Sequence, residues 1–166
     1  LGRTTSMQTT LATIVESAHA AWEAGDLKLA RQLFERAAAA GDAGSLVNLG
    51  YFYDEGIGAM PDKALAMRLY KRAYRKGDAA AASNIAILYR EQGRRRLSFQ
   101  WFARAAQLKD GDAEVELAKL LATGTGVRRS PALALQAAER ARTSGFITPA
   151  GREEAISVLA ALRGAA

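Results

Sequence analysis

The feature that most constrains this sequence is that it repeats itself. A shift of 68 residues places the segment 50–77 over the segment 118–145 without a gap, and small residues coincide along its length. Gly50 falls on Ala118, and the pair Gly56 and Gly58 falls on another glycine pair. Such agreement in a single register indicates duplicated structural units, because chance similarity rarely preserves the positions of small residues.

Two further copies complete the series. The segment 83–89 aligns with 47–53, and the segment 29–42 aligns with 65–78. The four units that follow are residues 9–42, 43–78, 79–110 and 111–145. Periods of 32 to 36 residues are typical of helical repeats, in which each unit buries its apolar face by stacking on neighbours.

The apolar spacing within the units is helical. Leu11, Ile14, Val15 and Ala18 follow the i, i+3, i+4, i+7 pattern of a helix with one buried face. We therefore predict an all-α fold: a right-handed α-α superhelix of about four helix-turn-helix repeats. The predicted domain organisation is an N-terminal tail at 1–8, a repeat domain at 9–148, and a capping helix with the C-terminus at 149–166.

Composition excludes several classes of protein. Among the 166 residues, 49% are hydrophobic, but no apolar run approaches the roughly 18–20 residues needed to span a bilayer. The absence of cysteine excludes disulfides, thiolate catalysis and cysteine-bound zinc. The formal net charge of +6 favours acidic partners and also promotes solubility.

The glycines at 56 and 58 could cradle a phosphate or turn the chain between two helices. A phosphate-binding glycine loop follows a strand and opens a helix, whereas the segment before Gly56 is itself helical in pattern. We therefore interpret Gly56 and Gly58 as turn residues.

The sequence does not suggest catalysis. His19 is the only histidine, so at most one imidazole is available to a metal site or a catalytic triad. The adjacent carboxylates Asp54 and Glu55 diverge by about 100° on a helix and cannot act as a facing acid and base. We predict no enzymatic activity, no catalytic residue, no cofactor and no metal.

The second unit resembles the Sel1-like repeat, a relative of the tetratricopeptide repeat with a longer turn between its helices. The residues that carry the resemblance are Leu49, Gly50, Tyr53, Gly56, Ile57, Gly58, Pro61, Asp62, Ala66, Leu69, Tyr70, Ala73 and Gly77. In the unit at 111–145, Ala137 and Ala138 occupy the positions where the family is expected to have an aromatic pair. The units at 9–42 and 79–110 look like ordinary tetratricopeptide repeats.

This resemblance implies a scaffold or adaptor that binds a partner protein or an extended peptide on a concave face lined by first helices, and the positive net charge adds an acidic partner as one option. The implied contact residues are Trp22, Asn48, Tyr51, Asp54, Asn84, Ile87, Arg90 and Lys119. Asn48 and Asn84 occupy equivalent places, where an amide can hold a peptide backbone. They could equally be consensus residues without a ligand. The resemblance also favours a bacterial source and a periplasmic or cell-envelope location, with the cytoplasm as the alternative.

A second surface has a different chemistry. Five arginines fall in the inter-helix turns of the third and fourth units: Arg94, Arg95, Arg96, Arg128 and Arg129. We call this set the arginine edge. It could bind nucleic acid or another polyanion, meet an acidic protein, or remain solvated. Nucleic acid is disfavoured because no aromatic residue is interleaved with the arginines.

Overall fold

The computed structural model describes the backbone of residues 2–164 and the side chains of residues 11–164. Within that part the chain forms nine helices and no strand. The helices are α1 (Gly2–Glu23), α2 (Leu27–Ala39), α3 (Ala43–Glu55), α4 (Lys63–Tyr74), α5 (Ala79–Glu91), α6 (Arg95–Gln107), α7 (Gly111–Thr123), α8 (Pro131–Thr143) and α9 (Pro149–Gly164). The predicted all-α fold of helix-turn-helix repeats is confirmed.

The helices group into two compact units. Unit 1 (Leu1–Asp78) contains the pairs α1–α2 and α3–α4, and unit 2 (Ala79–Ala166) contains α5–α6, α7–α8 and α9. Where the sequence predicts a tail at 1–8, the backbone of α1 begins at Gly2. No proline or further glycine lies between residues 3 and 8 to stop that helix. Leu1 lies outside the described residues.

Short side chains define where the helices begin. Five N-cap side chains each accept a hydrogen bond from a backbone N–H three residues further on: Asp26, Asp42, Asp62, Asp110 and Ser130. Helix α3 ends at Gly56, whose φ of 68° is left-handed, and Gly58 has a φ of 71°. These glycines therefore turn the chain after a helix, as predicted.

The core of unit 1 contains three large aromatic rings among alanines and leucines. Phe34, Phe52 and Tyr70 are almost completely buried between the helices. Gly50 faces the ring of Tyr70 so closely that a Cβ atom there would lie 2.5 Å from Tyr70 Cε1. The absence of a side chain at Gly50 thus allows α3 and α4 to enclose a large ring.

The core of unit 2 combines the buried rings of Trp101 and Phe102 with many alanines. Its fully buried alanines are Ala81, Ala82, Ala86, Ala105, Ala118, Ala134, Ala137, Ala138, Ala141 and Ala155. The repeat register places Ala138 where unit 1 has Tyr70, and Ala118 where it has Gly50. Helix α9 closes this core by packing Ala155 against Val115 and Ala141. None of the helices in the described part of the chain is long and apolar enough to cross a membrane.

Candidate functional site

A groove of about 620 Å³ lies in unit 2. Helices α5, α7 and α9 supply most of its lining, and the buried ring of Phe102 on α6 contributes to it. The predicted contact residues Asn84, Ile87 and Arg90 all line this groove. The structure therefore brings these three together on α5, beside a cavity large enough for several side chains of a ligand.

Ion pairs form one side of the groove. Arg90 Nη1 donates a hydrogen bond to Glu116 Oε2 at 3.0 Å. Lys119 Nζ donates to Glu116 Oε1 at 2.6 Å and to Glu154 Oε1 at 2.8 Å. Partial burial lowers the pKa of Lys119, but its hydrogen bonds and charge contacts with Glu116 and Glu154 outweigh that effect, and the pKa is raised. Lys119 is therefore a cation that links α7 to α9, and not a free contact residue.

Other carboxylates of the groove are engaged within the chain. Asp110 accepts hydrogen bonds from Ser83 Oγ at 2.6 Å and from the backbone N–H of Ala113 at 3.1 Å. Asp112 accepts from the backbone N–H and the hydroxyl of Thr148, at 3.0 and 2.6 Å. By contrast, the side-chain amide of Asn84 has no hydrogen-bond partner among the described residues. The Asn84 amide is thus a polar group of the groove that the described residues leave unpaired.

Apolar side chains complete the lining. Ile87 is partly buried, whereas Leu108 is 39% exposed and Phe146 is 72% exposed. The backbone N–H of Gly111 donates to the carbonyl of Phe146 at 2.8 Å, which holds the segment before α9 against the start of α7. Neither Leu108 nor Phe146 is among the sequence-predicted contact residues. An exposed aromatic at the mouth of a groove is a common anchor for a ligand.

The predicted contact residues of unit 1 lie on or beside an aromatic cluster. The Trp22 ring centroid is 5.0 Å from that of Phe52 and 6.0 Å from that of Tyr51. Tyr51 is 42% exposed, so one side of its ring is accessible. Asn48 Nδ2 lies 3.4 Å from His19 Nε2 and donates to it when that nitrogen is unprotonated.

Asp54 is not on an open surface. Its side chain is buried, with 7% of the residue exposed, and its carboxylate accepts hydrogen bonds from Lys63 Nζ at 2.5 Å and from the Tyr70 hydroxyl at 3.3 Å. Burial and then the charge of Asp54 raise the pKa of Tyr70 well above its usual range. Asp54 therefore joins α3 to α4, and its charge is satisfied within unit 1.

The arginine edge is assembled at one place in unit 2. Arg94, Arg95 and Arg96 lie at the start of α6, and the other two arginines lie in the loop before α8. Gly126 packs against the backbone carbonyl of Arg95, leaving no room for a side chain, so the loop and the helix start are in direct contact. All five arginines are exposed, and none forms an ion pair with a described residue.

Local contacts fix two of these arginines. The Arg94 guanidinium lies 5.2 Å from the centre of the Tyr89 ring. Arg129 Nε donates to the carbonyl of Ala122 at 3.0 Å. In the part of the chain whose side chains are described, no group of three His, Asp or Glu residues could hold a metal ion.

Helix pairs repeated along the chain define a helical repeat protein. The family model for the Sel1 repeat matches residues 23–42, 43–78, 79–110 and 111–145. The chain belongs to the Sel1 repeat family. Sel1 repeats generally form protein–protein interaction scaffolds, typically without catalytic activity.

Solved structures share this fold. A Sel1 repeat protein from Oxalobacter formigenes is 24% identical with a TM-score of 0.74, and the match covers 93% of this chain and 64% of that one. The protective antigen c5321 of uropathogenic Escherichia coli, which displays an SLR fold, is 22% identical with a TM-score of 0.69, over 82% of this chain and 31% of that one. MamA is 16% identical with a TM-score of 0.54, and the match covers 89% of this chain and 92% of that one. The chain thus spans under two thirds of the first two structures. No curated protein sequence matches it significantly.

Proposed function

We propose that this chain is a non-catalytic scaffold whose unit 2 groove binds an extended segment of a partner protein. The observation that carries the proposal is the Asn84 amide, which has no partner within the described residues and lies in a groove with apolar lining. An amide presents one acceptor and two N–H donors, which match the N–H and carbonyl of a peptide unit. An extended peptide leaves both of those groups free.

Apolar contacts would supply much of the affinity. Ile87, Leu108 and Phe146 offer one partly buried and two exposed apolar side chains around the Asn84 amide. Covering apolar surface contributes about 25 cal/mol per Å², and aromatic side chains often dominate the energy of an interface. A ligand with apolar side chains on either side of a backbone contact would use both features.

The charges around the groove do not favour an acidic ligand there. Arg90, Lys109 and Lys119 are matched against four carboxylates: Asp110, Asp112, Glu116 and Glu154. Arg90 and Lys119 are also paired with carboxylates of the chain. A neutral, partly apolar segment therefore fits this groove better than an acidic one.

Unit 1 offers a separate, smaller surface for a protein contact, which the groove ligand does not use. The Tyr51 ring contacts Trp22 but remains 42% exposed. Asn48 lies one turn before it on α3. A rigidly held aromatic ring loses little conformational entropy on binding and suits a protein contact. Asp54 has no part in the proposal, because its carboxylate is buried and paired.

A selected peptide provides the test. Dodecapeptides displayed on phage are selected for binding to the whole chain. One selected peptide is then labelled with a fluorophore, and its binding is measured by fluorescence anisotropy. We expect Asn84→Ala to weaken its binding about tenfold, because hydrogen bonds buried on binding are lost. The matched control is Asn48→Ala, which removes the equivalent amide from unit 1 and should leave the affinity unchanged.

The melting temperature of each variant checks that the fold is preserved. If Asn84→Ala and Phe146→Ala both bind the selected peptide as the wild type does, the groove is not the binding site and the proposal is wrong.

A further inference from the structure

The arginine edge is a group of five neighbouring cations without an ion pair among the described residues, whereas several other arginines of unit 2 are paired. Arg90, Arg140, Arg142 and Arg163 each pair with a glutamate. The five arginines of the edge form no such pair with a described residue. Like charges held close together repel one another, and an external anion relieves that repulsion.

The start of α6 adds a second source of positive potential. Arg94 is its N-cap residue but makes no side-chain capping hydrogen bond. In α2, α3, α4, α7 and α8 the N-cap side chain accepts such a bond. The first-turn N–H groups of α6 therefore lack a side-chain acceptor, and the positive end of the helix dipole lies among the arginines.

A buried hydroxyl provides an independent observation. Ser98 is only 2% exposed, and its Oγ has no hydrogen-bond partner among the residues whose side chains are described. Ser98 lines a cleft of about 440 Å³ together with Arg95 and Thr125. A buried polar group without a partner is costly, and an oxygen of an external ligand would satisfy it. This cleft shares only Arg90 with the lining of the groove.

We propose that the arginine edge and the adjoining cleft form a second interaction surface, which binds an acidic segment of a protein. A carboxylate entering the cleft meets the Arg95 guanidinium and can accept a hydrogen bond from the Ser98 hydroxyl. Further acidic side chains then pair with the remaining arginines on either side of Gly126. This surface is independent of the groove and does not rest on its proposed role.

The observations favour a protein segment over nucleic acid. No aromatic residue is interleaved with the arginines in the sequence, and the nearby ring of Tyr89 already has the Arg94 guanidinium over it. The cleft is also lined by Glu91, whose charge disfavours a continuous row of phosphates. An acidic segment can place a neutral side chain or a backbone N–H beside Glu91 while its carboxylates reach the arginines.

Fluorescein-labelled hexaglutamate tests this surface by anisotropy at about 150 mM salt, where diffuse surface attraction is largely screened. The variant Arg95→Glu with Arg128→Glu should weaken binding at least about tenfold, because two attractive contacts become repulsive. The matched control is Arg72→Glu with Arg75→Glu, which changes the net charge equally on exposed arginines of unit 1. It should alter the affinity less than about twofold.

Ser98→Ala distinguishes the cleft from diffuse attraction. The variant should bind hexaglutamate about three- to tenfold more weakly, since a hydrogen bond to a carboxylate is lost. Its melting temperature should equal or exceed that of the wild type, because an unsatisfied hydroxyl has been removed.

Three results would overturn the proposal. These are equal weakening in the two charge-reversal variants, unchanged affinity in Ser98→Ala, and tighter binding of a single-stranded oligonucleotide than of hexaglutamate. The last would assign the surface to nucleic acid.

Discussion

The first helices meet differently in the two units. In unit 1, Asn48 and Tyr51 on α3 contact His19 and Trp22 on α1. In unit 2, the residues 68 positions further on are Glu116 and Lys119. There Glu116 pairs with Arg90 on α5, and Lys119 pairs with both Glu116 and Glu154.

This difference teaches how one repeat can produce either a filled or an open surface. Aromatic rings fill the space between helices and remove apolar surface from water. Long charged side chains span the same distance at the surface and keep their charges hydrated. The helix pairs of the two units are equivalent, but α9 and the segment before it have no counterpart in unit 1, so side chains and this added helix together determine that unit 2 carries a groove.

The largest expected difference concerns two phenylalanines. Phe34→Ala should lower the free energy of unfolding by about 3–5 kcal/mol, because it empties the aromatic core of unit 1. Phe146→Ala should change it by less than about 0.5 kcal/mol, because that ring is mostly exposed. Urea unfolding followed by circular dichroism measures both. A stability cost for Phe146→Ala comparable to that of Phe34→Ala would show that Phe146 is a core residue and not a surface contact.

Two glycines of α3 test how much close packing between helices contributes to the stability of unit 1. Gly50→Ala should destabilise the protein by about 1–3 kcal/mol, because its Cβ would overlap the Tyr70 ring. Gly44→Ala is the control on the same helix, since a Cβ there makes only ordinary contact. It should stabilise by about 0.5–1 kcal/mol through higher helix propensity. Equal effects of the two variants in urea unfolding would contradict the packing shown between Gly50 and Tyr70.

A smaller effect is expected from the hydroxyl of Tyr70. Tyr70→Phe should cost about 1 kcal/mol, because Asp54 loses one hydrogen bond and keeps that of Lys63. The raised pKa of Tyr70 means that this stabilisation is fully present below the unfolded pKa of about 10 and is lost as pH rises through the folded pKa.

Alkaline titration of absorbance at 295 nm checks this assignment. The folded wild type and Tyr70→Phe should show the same amplitude up to about pH 11, since the hydroxyl of Tyr70 stays protonated. In concentrated urea the variant should show a smaller amplitude than the wild type. A smaller amplitude already in the folded variant would mean that Tyr70 titrates normally.

The smallest effect concerns the ion pairs of unit 2. Lys119→Met should lower stability by no more than about 1 kcal/mol, because the pairs are partly exposed, and 1 M salt should reduce the difference. The raised pKa of Lys119 means that its contribution is present at neutral pH and is lost as pH rises above the unfolded pKa of about 10.4 and through the folded pKa. Tyr51→Ala is the uncharged counterpart and should show no salt dependence. A salt-independent loss in Lys119→Met would contradict an electrostatic role.

The repeat period was sufficient to predict the fold, because helical spacing and turn glycines are local properties. Gly56, for example, follows a helix and adopts a left-handed φ, as its position in the sequence indicated. The exposed or engaged state of a side chain depends on its neighbours in space. Asp54 is buried because Tyr70 and Lys63, from the next helix, reach its carboxylate.

Phe146, a groove residue that was not predicted from the sequence, also shows that spatial neighbours cannot be inferred from the repeat pattern. Phe146 lies between α8 and α9, where the repeat has ended and periodicity carries no information. One signal was present: the first residue of α7 is Gly111, whereas α3 and α5 begin with alanine. A Cβ at Gly111 would lie 2.6 Å from Ile147 Cβ, so this glycine marks the place where the chain crosses α7 closely.

Hydrogen–deuterium exchange with the phage-selected peptide most directly tests the claim that unit 2 carries the open, ligand-binding face. We expect the peptide to slow exchange in α5, at the start of α7 and in residues 146–154, and to leave α1 and α3 unchanged. Asn84→Ala should abolish that protection, whereas Asn48→Ala should retain it. Protection confined to α1 and α3, with the groove unaffected, would contradict the account.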